Sequence, residues 1–537
     1  MNSNEILLIG INSKYIHPSM GAFQLITNCD YSIPYKEFSI KDNALLFLDY
    51  IKMSKALVVC FSVYIWNVEI VKALIPKIDA KIILGGPEAS FRISEFFKFK
   101  NVLGIIKGEG EESFNRLVHA LINGSSFDEV PNLYYRKDNE ILYTFSKLPD
   151  LKCIKHDYSL IKDYHNRICY LESSRGCYFN CSYCLASTEK PVRFFELDEI
   201  KTNLLFLLNN NARIVKFLDR SFNVNQHYMV EILSFINEHD NGFTTFQFEI
   251  VGDKLSNEAI SLLNKMRYKS IRLEIGIQTT NPVTTEAILR KQDFNVIASN
   301  IKKIKDNVVI HTDLIAGLPY EDYNSFINSF NETFMLLTEE LQLGFLKELK
   351  GTHISNTKKM HGYIFSDTAP YEVISNNYIS QDELNEIKFV ENAVDKIYNK
   401  NIYPRLMKYL FEELKLEPFK VFHAIGKNLS HTMLPAEISQ MLLNVLKDFV
   451  VDKEYLFFLI KQDYLAKDKI KPKIWWDSSI TREERNIVIN QFVSLYPELN
   501  ADLLFRYSKI EKYNNIYYLV LYKPKKEYFM EFNYGFN

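Results

Sequence analysis

The first 120 residues alternate short apolar runs with stretches of helical periodicity. The runs at 6–9, 56–61, 81–84 and 102–106 read as strands, and a loop of small or polar residues follows each. Strands separated by helices in this way form βαβ units on a parallel sheet. Open parallel sheets bind ligands beyond the carboxyl ends of their strands. Function is therefore expected in four loops: Gly10-Ile11-Asn12-Ser13-Lys14-Tyr15, Ser62-Val63-Tyr64-Ile65-Trp66-Asn67, Gly85-Gly86-Pro87-Glu88 and Gly108-Glu109-Gly110-Glu111.

Between Pro131 and Tyr143 two aromatic runs flank Asp138-Asn139, which reads as a hairpin joining two domains. From about 166 to 350 the alternation returns, with strands expected at 212–218, 245–250, 270–276, 308–314 and 344–349. That repeat suits a partial (β/α)6 barrel, whose catalytic groups stand at the carboxyl ends of its strands. Beyond about 375 the character changes. Helical periodicity with charged outer faces runs over 381–398 and 405–416, and aromatic-rich strands are expected over 503–532 around Asn514-Asn515. Nothing there has the spacing of a metal or nucleophile site, so a lid, substrate platform or dimer surface is expected. The expected class is α/β. It comprises a Rossmann-like parallel sheet over 1–130, a hairpin linker over 131–165, the barrel over 166–370 and a mixed, mainly helical C-terminal domain over 371–537.

Composition narrows the classes. The 537 residues are 47% hydrophobic and 24% charged, as in soluble globular proteins, and are too many for one ordinary core. Net charge is −2 from 64 basic and 66 acidic residues, so bulk nucleic-acid binding is not expected. The opening Met1-Asn2-Ser3-Asn4-Glu5 has no basic leader character, and no apolar run reaches the roughly 18 residues that span a bilayer. A cytoplasmic location without membrane attachment is expected. Seven cysteines, odd in number and thinly spread, argue for a reducing compartment over a disulfide framework.

Three of them form a pattern. Cys177, Cys181 and Cys184, spaced CxxxCxxC after Arg175-Gly176, let one turn-rich loop place three thiolates on three irons of a 4Fe-4S cluster. Zinc would ask for a fourth Cys or His nearby, and none lies close after Cys184. The fourth iron is left open, able to chelate the amino and carboxylate groups of S-adenosylmethionine (SAM). The spacing resembles the signature of the radical SAM superfamily, and the N-terminal sheet ahead of it looks like the cobalamin-binding domain of the cobalamin-dependent branch.

The resemblance implies a corrin across the first four loops, with its nucleotide tail between sheet and helix. Glycines at 85, 86, 108 and 110 would admit it closely, and Ser62 and Tyr64 would bond its tail or amides. His17 lies in Tyr15-Ile16-His17-Pro18-Ser19-Met20-Gly21, which has Tyr where cobalt-ligating runs carry Asp and its Gly one residue late. Without that carboxylate, His17 is expected to be a loop residue.

In the barrel, Phe217 to Asn223 would bring Asp219 to the SAM ammonium and Arg220 to a carboxylate. Glu274-Ile275-Gly276-Ile277-Gln278-Thr279 resembles the ribose-facing element, and Glu249 points to the same rim. Asp313 to Glu321 resembles the fifth-strand element near adenine, with Asp313 in place of its first Gly. Tyr183 holds the aromatic position beside adenine, and Gly351-Thr352 would face substrate.

The expected function is that of a cobalamin-dependent radical SAM enzyme, foremost a methyltransferase acting on an unactivated carbon through a 5′-deoxyadenosyl radical and methylcobalamin. Its cofactors would be a 4Fe-4S cluster, SAM and cobalamin. Its partners would be a small-molecule or peptide substrate and an electron donor such as flavodoxin or ferredoxin. The same family also supports cyclisation, ring contraction or oxidation without methyl transfer. A non-catalytic cobalamin or Fe-S sensor has less need of the SAM-type elements.

Overall fold

A computed structural model describes residues 1–138 and 140–532. The chain divides into two compact units. One comprises residues 1–322 with 345–380, and the other residues 323–344 with 381 onward.

The first unit holds two parallel sheets. In the first, β1 (Ile6–Asn12), β2 (Tyr35–Ser39), β3 (Val58–Ser62), β4 (Lys81–Gly85) and β5 (Val102–Ile106) lie parallel in the order β2-β1-β3-β4-β5. All seven residues of β1 and all five of β3 are buried, as strands covered by helices on both faces must be. The four strands expected from apolar runs are these, whereas β2, an edge strand of partly exposed residues, has no such run. The expected hairpin is β6 (Leu133–Lys137) and β7 (Glu140–Tyr143), and it extends the first sheet antiparallel to β5. Asp138 takes φ +47° at its turn, and Asn139 lies outside the described residues.

In the second sheet β8 (Ile168–Leu171), β11 (Ile214–Phe217), β12 (Thr245–Ile250), β13 (Ile271–Gln278) and β14 (Val309–Ala316) lie parallel in the order β14-β13-β12-β11-β8. The short strands β9 (Ser174–Arg175) and β10 (Arg193–Phe194), which follow β8 in the chain, pair antiparallel as a separate two-stranded sheet. Along β11, β12 and β13 every second residue is apolar and buried, while Lys216, Gln247, Glu249, Arg272 and Glu274 share the opposite face. The strand expected at 344–349 instead runs Glu340–Phe345, where Leu341, Leu343 and Phe345 supply the period-two burial.

The second unit is mainly helical. Gln381–Ala393 continues as a π-turn over Val394–Tyr398, and Pro404–Lys408 continues through Tyr409–Glu413, in agreement with the expected periodicities. The expected strands begin later than anticipated, because Ala501–Tyr507 is a helix; an antiparallel sheet of Ser508–Tyr513, Ile516–Tyr522 and Lys525–Glu531 follows. Among the described residues no helix is long and apolar enough to cross a membrane.

Helices Gln381–Ala393 and Pro418–Asn428 pack so closely that a Cβ on Gly426 would collide with the Phe389 carbonyl. Helix propensity favours Ala over Gly by about 1 kcal/mol, but overpacking against immovable backbone costs up to about 3 kcal/mol. Gly426→Ala should therefore lower stability in denaturant titrations. A variant as stable as wild type would show that the two helices can part.

Candidate functional site

The carboxyl ends of the first sheet open onto a cavity of about 670 Å³. Asn12, Ser13, Ser62, Tyr64, Gly85, Gly86, Gly108, Glu109 and Gly110 line it, whereas Lys14, Tyr15 and Pro87 do not. The Tyr15 ring instead lies under the Arg167 guanidinium at 5.1 Å, and Pro87 opens the helix Pro87–Phe91. Gly86 has φ +90°, and a Cβ there would stand 2.7 Å from the Val63 carbonyl oxygen, so the turn demands glycine. Gly108 has φ +79° and no atom of the described residues within 4 Å of its Cβ position, a bare stretch of backbone facing open space. Leu8, Cys60, Ile83 and Ile106 from the sheet, with Leu25 and Phe114 from its helices, extend the cavity as an apolar slot.

The opposite wall comes from the second sheet: Tyr170, Glu172, Lys216, Arg220 and Glu249. His17 also lines the cavity, and its Nδ1 is 2.6 Å from the Tyr170 hydroxyl. Burial, helped by Lys14, Lys216 and Arg167, lowers the His17 pKa and favours the neutral ring. Burial pushes Tyr170 up to about 12, so its phenol stays protonated.

Between the two walls stands the base of the cysteine loop. Arg175 Nη1 lies 2.6 Å from Glu109, and Nη2 lies 2.6 Å from Glu111 and 2.9 Å from Glu172. Arg193 takes the other Glu109 oxygen. Pairing of β9 with β10 closes residues 176–192 into a loop that carries all three motif cysteines. Gly176, at φ +94°, lets that loop start close to the Glu189 and Pro191 carbonyls. Lys190 Nζ donates to the carbonyls of Cys177 and Phe179. Arg290 donates to Cys181 Sγ at 3.6 Å and to the Gly276 carbonyl at 2.6 Å, and its guanidinium lies 4.8 Å from the Phe179 ring.

Cys177, Cys181, Cys184 and Tyr183 share one cluster with Phe179, Ala186 and Val251. Burial raises the thiol pKa of Cys177 and Cys184, opposed by Lys190 and Arg290 at the first and by Arg220 at the second. Any metal must therefore displace their protons. Among the described residues no three His, Cys, Asp or Glu side chains converge as they would on one metal ion. A cluster asks for a different geometry, since each thiolate serves its own iron.

Inside the second sheet Lys216 pairs with Glu274 at 3.1 Å, Arg220 with Glu249 at 3.5 Å, and His311 with Asp313 at 3.1 Å. Burial raises Glu249 and Asp313. Glu274 is also buried, but Lys216 and His311 outweigh that and hold it below the usual carboxylate range. Gln278, at φ +69°, folds over Gly276, and its buried Oε1 has no hydrogen-bond partner among the described residues. Such an orphaned acceptor fits a ligand hydroxyl.

Asp219 lies just past the end of β11. It is 2% exposed, and it accepts from Ser173 N at 3.0 Å, Ser173 Oγ at 2.6 Å and Ser174 Oγ at 2.5 Å. It holds the entry to the cysteine loop. Thr352 is likewise buried, capping the helix His353–Thr357. Arg290, Lys216 and Tyr170 escape sequence reasoning because none belongs to a local motif. Arg290 is 109 positions from Cys181, and only the turn through Leu289, at φ +57°, precedes it.

Residues 171–332 match the model of the radical SAM superfamily, and residues 359–522 match a protein family of unknown function, DUF4080. The structure resembles that of the radical SAM methyltransferase TsrM from Kitasatospora setae, solved with tryptophan substrate and a SAM analogue (14% identity, 68% of this chain and 80% of that one, TM-score 0.56). It also resembles the cobalamin-dependent SAM radical enzyme OxsB, solved with aqua-cobalamin and SAM (13% identity, 85% and 78%, TM-score 0.59). An uncharacterized methyltransferase of Pyrococcus horikoshii, PH0819, is 23% identical over 163 residues; the match covers 28% of this chain and 36% of that relative. The chain thus carries a radical SAM domain, and its fold is that of the cobalamin-dependent radical SAM enzymes.

Burial holds Asp219 at about 6 against an ordinary 3.8, its serine donors notwithstanding. The folded state then binds a proton that the unfolded state releases. This stability is complete below pH 3.8 and is lost as pH rises through 6. Against Asp219→Asn, wild type should lose up to about 3 kcal/mol between the two limits. Parallel pH profiles for the two proteins would show that Asp219 stays ionised.

Proposed function

We propose that this chain is a cobalamin-dependent radical SAM methyltransferase acting on an unactivated carbon. The observation that carries the reading is the cavity shared by the strand-end loops of the first sheet and the carboxyl ends of β8, β11 and β12. Cys177, Cys181 and Cys184 would hold a 4Fe-4S cluster, with Lys190, Arg220 and Arg290 offsetting the charge of three thiolates. SAM, a zwitterion with a sulfonium, suits the paired charges of Arg220, Glu249, Glu274 and Asp313, with Gln278 Oε1 for its ribose and Tyr183 beside adenine. Cobalamin would lie over Asn12, Ser13, Ser62, Tyr64, Gly85, Gly86 and Gly108 to Gly110, with Lys14, Tyr15 and Pro87 at the margin and its tail in the apolar slot. When bound, these groups supply one-electron cleavage of SAM and a transferable methyl group.

The chain's own residues align and shield. The slot side chains exclude water, and the Arg175 clamp fixes the cysteine loop against the first sheet. Burial raises both Glu249 and Glu189, so these two cavity carboxylates hold a proton more readily than an exposed carboxylate does.

His17 sits in the wall without serving as a metal ligand in this reading. In this reading Tyr170 O–H donates to Nδ1, a phenol being a better donor than acceptor, and the ring carries its proton on Nε2. That leaves no imidazole lone pair for cobalt. His17→Ala should retain cobalamin at wild-type stoichiometry with an unchanged absorption spectrum; loss of the cofactor from a folded variant would make His17 a ligand.

Anaerobic turnover with SAM, reductant and fractionated cell extract tests the reaction. Methyl transfer predicts S-adenosylhomocysteine and 5′-deoxyadenosine in about equal amounts, and label from SAM-methyl in the product. Replacing Cys177, Cys181 and Cys184 with Ala should abolish iron binding and 5′-deoxyadenosine together. Formation of 5′-deoxyadenosine alone, with no methyl gained, would replace methyl transfer by a cyclisation, ring contraction or oxidation.

A further inference from the structure

We propose that residues 347–359 form the docking surface for an acidic one-electron carrier protein of the flavodoxin class. The inference rests on the cluster assignment above. In a chain of net charge −2, residues 345–361 hold four lysines, Lys347, Lys350, Lys358 and Lys359, against Glu348, and Glu372 stands across the backbone from Lys347. Glu348 is 8% exposed and accepts from Lys350 at 2.9 Å, Lys358 at 3.0 Å and Ser355 Oγ at 3.1 Å. It thereby pins two ammonium groups on either side of the helix His353–Thr357. Lys347 and Lys359 are exposed, and neither has a carboxylate partner among the described residues. Met360, 68% exposed, adds an apolar contact beside them. A cationic surface with an apolar element suits an acidic protein partner, which electrostatic steering brings in faster than chance encounter.

The buried side of the same helix gives the patch its role. Ile354 and Ser355 face inward, and the Ile354 N–H donates to the Ser182 carbonyl at 2.8 Å. Ser182 lies between Cys181 and Cys184. One hydrogen bond therefore links the backbone between two proposed cluster ligands to a helix flanked by the lysines. Gly351, at φ +93°, packs against the Phe91 ring so closely that a Cβ would collide with it, which fixes the near end of the helix. The step itself is the transfer of one electron from the reduced carrier to the oxidised cluster, with no bond made or broken.

The test uses reconstituted holoenzyme and an acidic flavodoxin in its hydroquinone form, with cluster reduction followed by stopped-flow absorbance and by EPR. At low ionic strength Lys347→Glu/Lys359→Glu should be reduced by flavodoxin about tenfold more slowly than wild type, the gap closing at high salt. Lys347→Gln/Lys359→Gln should fall between them. Dithionite, a small reductant, should reduce all three equally. Equal flavodoxin rates in all three proteins, with dithionite reducing each, would overturn the docking surface and leave the cluster standing. If dithionite yields no reduced-cluster signal even in wild type, the cluster assignment fails and the surface falls with it.

Discussion

The Arg175 guanidinium, 10% exposed, receives carboxylates from two separate elements. Glu109 comes from the loop after β5 of the first sheet, Glu111 opens the helix that follows, and Glu172 comes from the end of β8 in the second. Taking so many charges out of water is expensive, and only mutual pairing with saturated hydrogen bonds makes it tolerable. Arg193 completes the set by taking the second Glu109 oxygen. Because Arg175 lies in β9 and Arg193 in β10, the strands that close the cysteine loop, this ion cluster sets where the three thiols stand against the strand-end loops. A second clamp repeats the logic beside it: Arg167 meets Glu37 in two bonds of 2.9 and 3.0 Å, and Glu37 accepts from Asn12 and from the Ser19 backbone. Both clamps join a residue near β8 to the first sheet, so the cavity between them has fixed walls.

The interior of the second sheet follows from a different constraint. Parallel strands covered on both faces are ordinarily apolar throughout. Here Phe217, Phe248 and Leu273 keep that character on one face, while Lys216, Glu249 and Glu274 occupy the other at the same period. Charged groups at these positions are tolerable because each has an opposite partner within 3.5 Å. A face so arranged is suited to a charged ligand, and filling it with apolar side chains would have made an ordinary core.

Features decided by neighbours in sequence were legible; features decided by neighbours in space were not. Runs such as Ile6 to Ile9 and Val58 to Phe61 are buried on both faces and therefore continuous in the sequence. β2 is a partly exposed edge strand with no apolar run, and β8 offers only the four residues Ile168 to Leu171. Cysteine spacing is local, so the loop stood out. Arg290 and Tyr170 acquire their roles only when the chain brings them to Cys181 and His17. Asp219 does sit at the end of β11 as expected, but the direction of its side chain was set by Ser173 and Ser174 on the adjacent strand end, and no pattern around 219 contains them.

The two walls of the cavity answer a kinetic requirement of the proposed chemistry. A reactive group generated at one centre and a methyl group held at another are useful only if both reach one carbon in the same encounter. Holding reactants in register can contribute roughly 7–11 kcal/mol toward a barrier, but only when the geometry does not drift. A loop tethered at one end would drift. Closure by β9 and β10, the Lys190 bonds to two loop carbonyls and the Ile354 bond to Ser182 restrain the cysteine loop at its base, middle and far turn. The opposite wall is restrained by the sheet itself, with Gly86 locked against Val63. Rigid walls leave substrate entry and closure to elements outside the cavity.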